Sequence, residues 1–93
     1  MKYEVCLMRE AEADLVRLAK SAPQAYTKAK RFLDELAEHP KTGNGHPEPQ
    51  KGQPANRWSR EITKKHCMVY RIFDTEVEVE VLAAYGHYDD KQH

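Results

Sequence analysis

The stretch "HCMVYRIFDTEVEVEVLAAY", residues 66–85, constrains this chain more than any other. Its side chains alternate with a period of two on either side of a break at Asp74-Thr75. Cys67, Val69, Arg71 and Phe73 fall on one face, and Met68, Tyr70 and Ile72 on the other. After the break, Val77, Val79, Val81, Ala83 and Tyr85 share a face, while Glu78, Glu80, Leu82 and Ala84 form a half-polar one. Two such runs joined by a short turn make an antiparallel hairpin. "RWSREIT", just upstream, reads as a third strand and extends the hairpin into a meander.

The first half has a different period. "KYEVCLM" alternates and predicts a short strand with Tyr3, Val5 and Leu7 on one face. From Glu10 the apolar residues Ala11, Leu15, Leu18 and Ala19 follow helical spacing. A second helix is predicted to start at a capping box, with Ser21 as N-cap, Pro23 in the first turn and Gln24 three residues after the serine. Its inner face is Tyr26, Ala29, Leu33 and Leu36, widened by Phe32 and Ala37, and Pro40 stops it near His39. The short link predicts an antiparallel helical hairpin. The expected architecture is α+β in the order β-α-α-β-β-β, a mainly antiparallel sheet carrying the helical hairpin on one face. The other face is left partly open. The 93 residues suit one domain, residues 1–88, followed by a short polar tail at 89–93.

No apolar run is long enough to span a bilayer, and "MKYEVCLMREAEAD" lacks the apolar core of a signal peptide, so a cytoplasmic protein without membrane association is expected. Cys6 and Cys67 are far apart and form no CxxC pair, and the five histidines lack metal-ligand spacing. Two reduced thiols, no metal and no cofactor are therefore expected. Formal net charge is zero, which argues against any nucleic-acid reading, because a basic stripe is the usual footprint. The charge is nevertheless uneven. From residue 51 to 71, Lys51, Arg57, Arg60, Lys64, Lys65 and Arg71 oppose only Glu61.

Three features could carry chemistry. In "HPEPQK", Glu48 is stiffened by a proline on each side and could act as a general base; on this stretch alone, a solvated loop carboxylate is the simpler reading. The basic strip around Trp58 suits single-stranded RNA, with phosphates held by cations and bases stacked. It suits an ordinary charged edge equally well, with Trp58 as a core anchor. In "YGHY", His87 can give or take a proton near neutral pH and Tyr88 adds a hydroxyl. A frayed C-terminus accounts for the same residues. Together, a carboxylate, cations and a late histidine form the set that metal-free RNA cleavage requires.

"GNGHPEPQK", "RWSREITKKHCMVY" and the terminal "YGHY" together resemble the YoeB (Txe) group of bacterial toxins within the RelE/ParE superfamily, with the similarity concentrated between Gly45 and Tyr88. The resemblance implies the β-α-α-β-β-β fold and an mRNA endonuclease acting on translating ribosomes. It also implies a co-transcribed YefM-type antitoxin, with assembly as a homodimer or as a heterotrimer with that antitoxin. By position, Glu48 would be the general base, His87 the acid or its partner, and Tyr88 an orienting group. Lys51 would hold a phosphate. Arg60, Lys65 and Arg71 complete the expected RNA-binding set. The antitoxin would cover Glu48 and His87 on the open face.

The chain departs from the family pattern at three cations. Cys67 stands where the family has its main transition-state arginine, Glu61 replaces a basic residue, and Tyr85 with Gly86 occupies the basic position before Y-H-Y. Loss of one charge-stabilising donor costs roughly two to three orders of magnitude in rate. Arg71, four residues after Cys67 on the same strand face, is the expected compensating cation, with Lys51 the other candidate. Two further readings remain open: a weakened toxin that chiefly binds its antitoxin, and a ParE-like inhibitor of DNA gyrase. The retained Glu48 and "GHY" ending disfavour the second.

Overall fold

The computed structural model describes residues 2–52, 54 and 56–86; His87 and Tyr88 lie outside the described residues. Strand β1, Glu4–Leu7, is followed by helices α1, Arg9–Ser21, and α2, Pro23–Glu38. Strands β2 (Glu48–Pro49), β3 (Arg57–Glu61), β4 (Cys67–Phe73) and β5 (Glu78–Ala83) follow. They form one five-stranded sheet in the order β1-β5-β4-β3-β2. The meander β3-β4-β5 is antiparallel, as the alternation predicts, while β1 lies parallel to β5.

One face of the sheet is sealed by the helical hairpin. Ala11, Leu15 and Leu18 from α1 and Ala25, Ala29, Phe32 and Leu36 from α2 meet Met68, Tyr70, Ile72, Val79 and Val81 from the sheet. Trp58 packs against this cluster, as do Tyr3, Val5 and Leu7. Burial of each large side chain contributes roughly 1.5–3 kcal/mol. The buried stripe of α2 is rotated from the expected one: Ala25 and Phe32 are fully inside, whereas Tyr26 and Leu33 are half-buried at its rim.

The helix junction differs from the predicted capping box. Ser21 is the last residue of α1, and its hydroxyl donates to the Arg17 carbonyl one turn back. Ala22 is the sole residue between the helices and occupies the N-cap of α2 without any side-chain cap. Pro23 does open α2, where its missing N–H costs nothing.

A β-bulge changes the outcome on β5. Tyr70 pairs with Val81 but its neighbour Val69 pairs with Ala83, so Leu82 is an extra residue. Beyond it the alternation is inverted. Ala84 enters the helix-side core, and Ala83 joins Cys67 and Val69 in a small apolar cluster on the opposite face.

Candidate active site

The face away from the helices can be read in rows across the strands. Glu48, Ser59, Val69 and Ala83 form one row from β2 to β5. Glu61 and Cys67 form the next row toward the β3–β4 turn. Arg57, Arg71, Glu80 and Cys6 form the row on the other side. At about 4.8 Å per strand, the Glu48 and Ala83 backbones stand about 14 Å apart.

The delivery of Glu48 begins at Gly45. Its φ of +84° favours glycine, and a Cβ there would lie 2.6 Å from Arg60 Cγ, 2.7 Å from the Glu61 carbonyl oxygen and 2.7 Å from Phe32 Cζ. With no side chain, the Gly45 carbonyl accepts the Glu61 N–H at 2.6 Å and docks the loop on the end of β3. The segment expected as loop then forms the two-residue edge strand β2. Prolines flank Glu48 there without loss to the sheet, because an edge strand has one unpaired side. Glu48 is exposed, and its carboxylate makes no hydrogen bond or ion pair among the described residues.

Arg60 is not available for RNA. Although expected in the basic strip, it shares the parity of Trp58 and points into the helix-side core, where it is 0% exposed. Its guanidinium donates to Glu35 Oε1, the His39 carbonyl and the Thr42 carbonyl, each at 2.9 Å. It therefore ties the end of α2 and the following loop to β3. Burial raises the Glu35 carboxyl pKa, but the Asn44 side-chain and backbone donors and Arg60 outweigh burial, and the net shift is downward. A depressed folded value means that the stabilisation is complete above the ordinary value of 4.5 and is lost as the pH falls through the lower, folded value. The stability advantage of the parent protein over Glu35→Gln is expected to shrink as urea midpoints are measured at successively lower pH below that ordinary value. An advantage that stays constant down to acid pH would remove Glu35 from the acid response.

Arg71 does not reach back toward Cys67. Its Nη2 donates to Glu80 Oε1 at 2.7 Å, across to β5 rather than along β4. Its charge is thereby opposed by a carboxylate, which weakens it as a compensating cation. Cys67 is 7% exposed among Val69 and Ala83, in keeping with a small packed residue. Lys51 is exposed in the turn after β2, and Lys65 is exposed in the turn between β3 and β4.

The exit of β5 is held by residues that the periodic reading passed over. Asp14 of α1, only 4% exposed, accepts the Ala84 N–H through Oδ2 at 2.9 Å. Arg17 lies 3.9 Å over the Tyr85 ring, whose centroid is 4.6 Å from that of His66. His66 Nδ1 accepts the Gly86 N–H, and the Cys67 N–H donates to the Gly86 carbonyl, both at 2.9 Å. Asp14 left a signal in the sequence: it follows Ala11 by three and precedes Leu18 by four, a charged residue in an apolar stripe.

The opposite edge of the same face is acidic. Glu4, Cys6 and Glu78 place potential ligand atoms within 4.8 Å of one another. Burial and the three neighbouring carboxylates of Glu78, Glu4 and Glu80 push the Cys6 thiol pKa up. The cations of this face lie on the β2–β4 side, beside Glu48.

Comparison with known proteins agrees with this geometry. Residues 8–88 match the sequence profile of the YoeB-like toxin of bacterial type II toxin-antitoxin system. Toxin YoeB of Streptomyces coelicolor is 33% identical over 75 residues, covering 81% of this chain and 87% of that protein. The YoeB/ParE toxin from Agrobacterium tumefaciens superposes with a TM-score of 0.81 at 28% identity, over 91% of this chain and 99% of that one. The toxin in the heterotetrameric YoeB-YefM complex from Staphylococcus aureus shares the fold, with a TM-score of 0.75 at 20% identity over 95% of this chain and 100% of that one. A meander bearing the P-E-P edge strand, a two-helix cover and a sequence match over nearly the whole chain converge on one assignment: this protein belongs to the YoeB family of type II toxin–antitoxin toxins, within the RelE/ParE superfamily.

Proposed function

We propose that this toxin is a ribosome-dependent mRNA endoribonuclease that works by general acid–base catalysis without a metal. One observation carries the reading. Glu48 stands on the open sheet face one row from the Glu61–Cys67 pair, and the Cys67 N–H holds Gly86, the residue before His87. Glu48 and Gly86, far apart in sequence, thus border the same end of one face.

In this scheme Glu48 takes the proton of a ribose 2′-hydroxyl. The freed oxygen attacks the adjacent phosphorus, forming a 2′,3′-cyclic phosphate. His87 protonates the departing 5′-oxygen, Tyr88 orients the scissile phosphate, and Lys51 offsets charge growing on the phosphoryl oxygens. Lys65 and Arg57 extend the cationic flank along which the strand would lie. The ribosome supplies most of the electrostatic field, so a neutral toxin can dock through this local patch. A YefM-like antitoxin is the proposed inhibitor, covering the same face and so separating mRNA from Glu48; in Staphylococcus aureus a YoeB is found in complex with YefM.

With Arg71 opposed by Glu80, Lys51 is the principal phosphate cation. Lys51→Ala is expected to lower single-turnover cleavage by about 10- to 100-fold, and Arg71→Ala by a smaller factor. Mapping mRNA ends in a reconstituted translation reaction checks both. A larger loss from Arg71→Ala than from Lys51→Ala would return the compensating role to Arg71.

A second reading has one observation in its favour. Cys67, at the family's arginine position, is a buried thiol, and among the described residues Arg60 and Arg71 are committed elsewhere. This supports a weakened nuclease that acts chiefly by binding its antitoxin. The same reaction separates the two, because such a protein would leave most of the mRNA uncut on programmed ribosomes.

A further inference from the structure

We propose that His66 is a positioning residue for the active site: its Nδ1 holds the Gly86 amide and so fixes the backbone that leads into His87. The inference rests on the reading of His87 as the general acid.

The ladder of β5 ends at Ala83. Beyond a strand end, every backbone polar group that leaves water needs a new partner. Two backbone N–H groups find theirs in side chains from other elements, and the residue between them is held by its ring. The Ala84 N–H donates to Asp14 on α1, the Tyr85 ring packs between Arg17 and His66, and the Gly86 N–H donates to His66. Gly86 is tied twice, because its carbonyl accepts the Cys67 N–H. Its φ of +74° turns the chain there, a conformation that glycine adopts without strain.

His66 is itself rigidly mounted. Its carbonyl accepts the N–H groups of Ile62 and Thr63, at 2.9 and 3.0 Å. Its own N–H donates to the Thr63 hydroxyl at 3.2 Å. The backbone that carries the ring is thus anchored independently of Gly86, and the ring itself packs on Tyr85. Histidine combines two properties needed here: an acceptor on the δ branch and an aromatic plane against Tyr85. Accepting at Nδ1 requires the neutral ring with its proton on Nε2. Without the bond, Gly86 loses one of the two backbone anchors that it has among the described residues. A displacement of about 1 Å at a reacting group costs about 100-fold in rate.

The direct test uses the unmodified protein. In uniformly ¹⁵N-labelled toxin, a through-hydrogen-bond ¹⁵N–¹⁵N coupling between Gly86 N and His66 Nδ1 is expected; its absence under conditions that resolve both signals would overturn the contact. Two variants then test its purpose. His66→Leu should lower single-turnover cleavage on programmed ribosomes by about 10- to 100-fold, with ribosome affinity changed less than about twofold. His66→Asn, whose Oδ1 stands on the same branch as Nδ1, should recover most of that loss. His66→Leu cleaving like the parent would refute the positioning role, and so would a folded His66→Asn no better than His66→Leu. If instead the parent does not cleave, or His87→Ala cleaves as well as the parent, the general-acid reading fails. The coupling measurement still decides whether His66 holds the segment.

Discussion

Replacing Glu48 with Gln lowers mRNA cleavage by about two to four orders of magnitude and leaves the thermal midpoint unchanged, if the carboxylate is the base. The two halves of this result have separate physical origins. The amide cannot take the 2′-hydroxyl proton, so the step that generates the nucleophile is lost. The fold does not register the change, because Glu48 is exposed and β2 is held through its backbone pairing with β3. Pro47 and Pro49 continue to restrict the chain on both sides. A variant that loses activity and stability together would mean that Glu48 holds the edge strand in place. A variant that retains activity would require another base on this face.

Arg60→Met has the opposite profile: it destabilises the protein by about 3–5 kcal/mol, because it removes one partner of a buried ion pair and strands the others. The Glu35 carboxylate and the carbonyls of His39 and Thr42 all lose a donor. The Phe32 and Tyr70 rings, 5.5 and 5.9 Å from the guanidinium carbon, lose a cation. Total stability of a domain this size is only about 5–14 kcal/mol, so roughly a fifth or more of it disappears. In a thermal melt the loss corresponds to a drop of about 12 °C or more. Arg60→Lys should not restore it, since a single ammonium cannot serve three acceptors arranged for a planar fork. Parental stability in Arg60→Met, with a defect confined to cleavage, would reinstate Arg60 as a phosphate contact.

The Arg60 case shows what the sequence offered and where it misled. In "RWSREIT", Trp58 and Arg60 share a parity, so a period of two already put them on one face. Charge made Arg60 look external, because an arginine is almost never fully buried unless it is paired, and the pairing partners lie in α2 and the loop after it. The meander, the helical hairpin and the face opposite it were legible from periodicity alone. The bulge at Leu82 was not, since a single extra residue leaves no mark on composition while inverting the sides of Ala83 and Ala84. Strand β2 was hidden by its own prolines, which lower the strand preference of any isolated segment. Parallel pairing of β1 with β5 joins chain segments too far apart for local pattern to connect. At the candidate site, Glu48 and Lys51 were visible through their motif. Asp14 and His66 became meaningful only once the exit of β5 lay beside α1 and the β3–β4 turn.

The proposed chemistry has this open sheet face cutting RNA although a cysteine occupies the place of the family's arginine. The most direct test adds purified toxin, with His87→Ala and Glu48→Gln beside it, to a reconstituted translation reaction with programmed ribosomes, and maps the mRNA ends. Discrete cleavage by the parent is expected, with 2′,3′-cyclic phosphate termini, and a loss of at least about 100-fold in each variant. Intact mRNA after incubation with folded parent protein would contradict it.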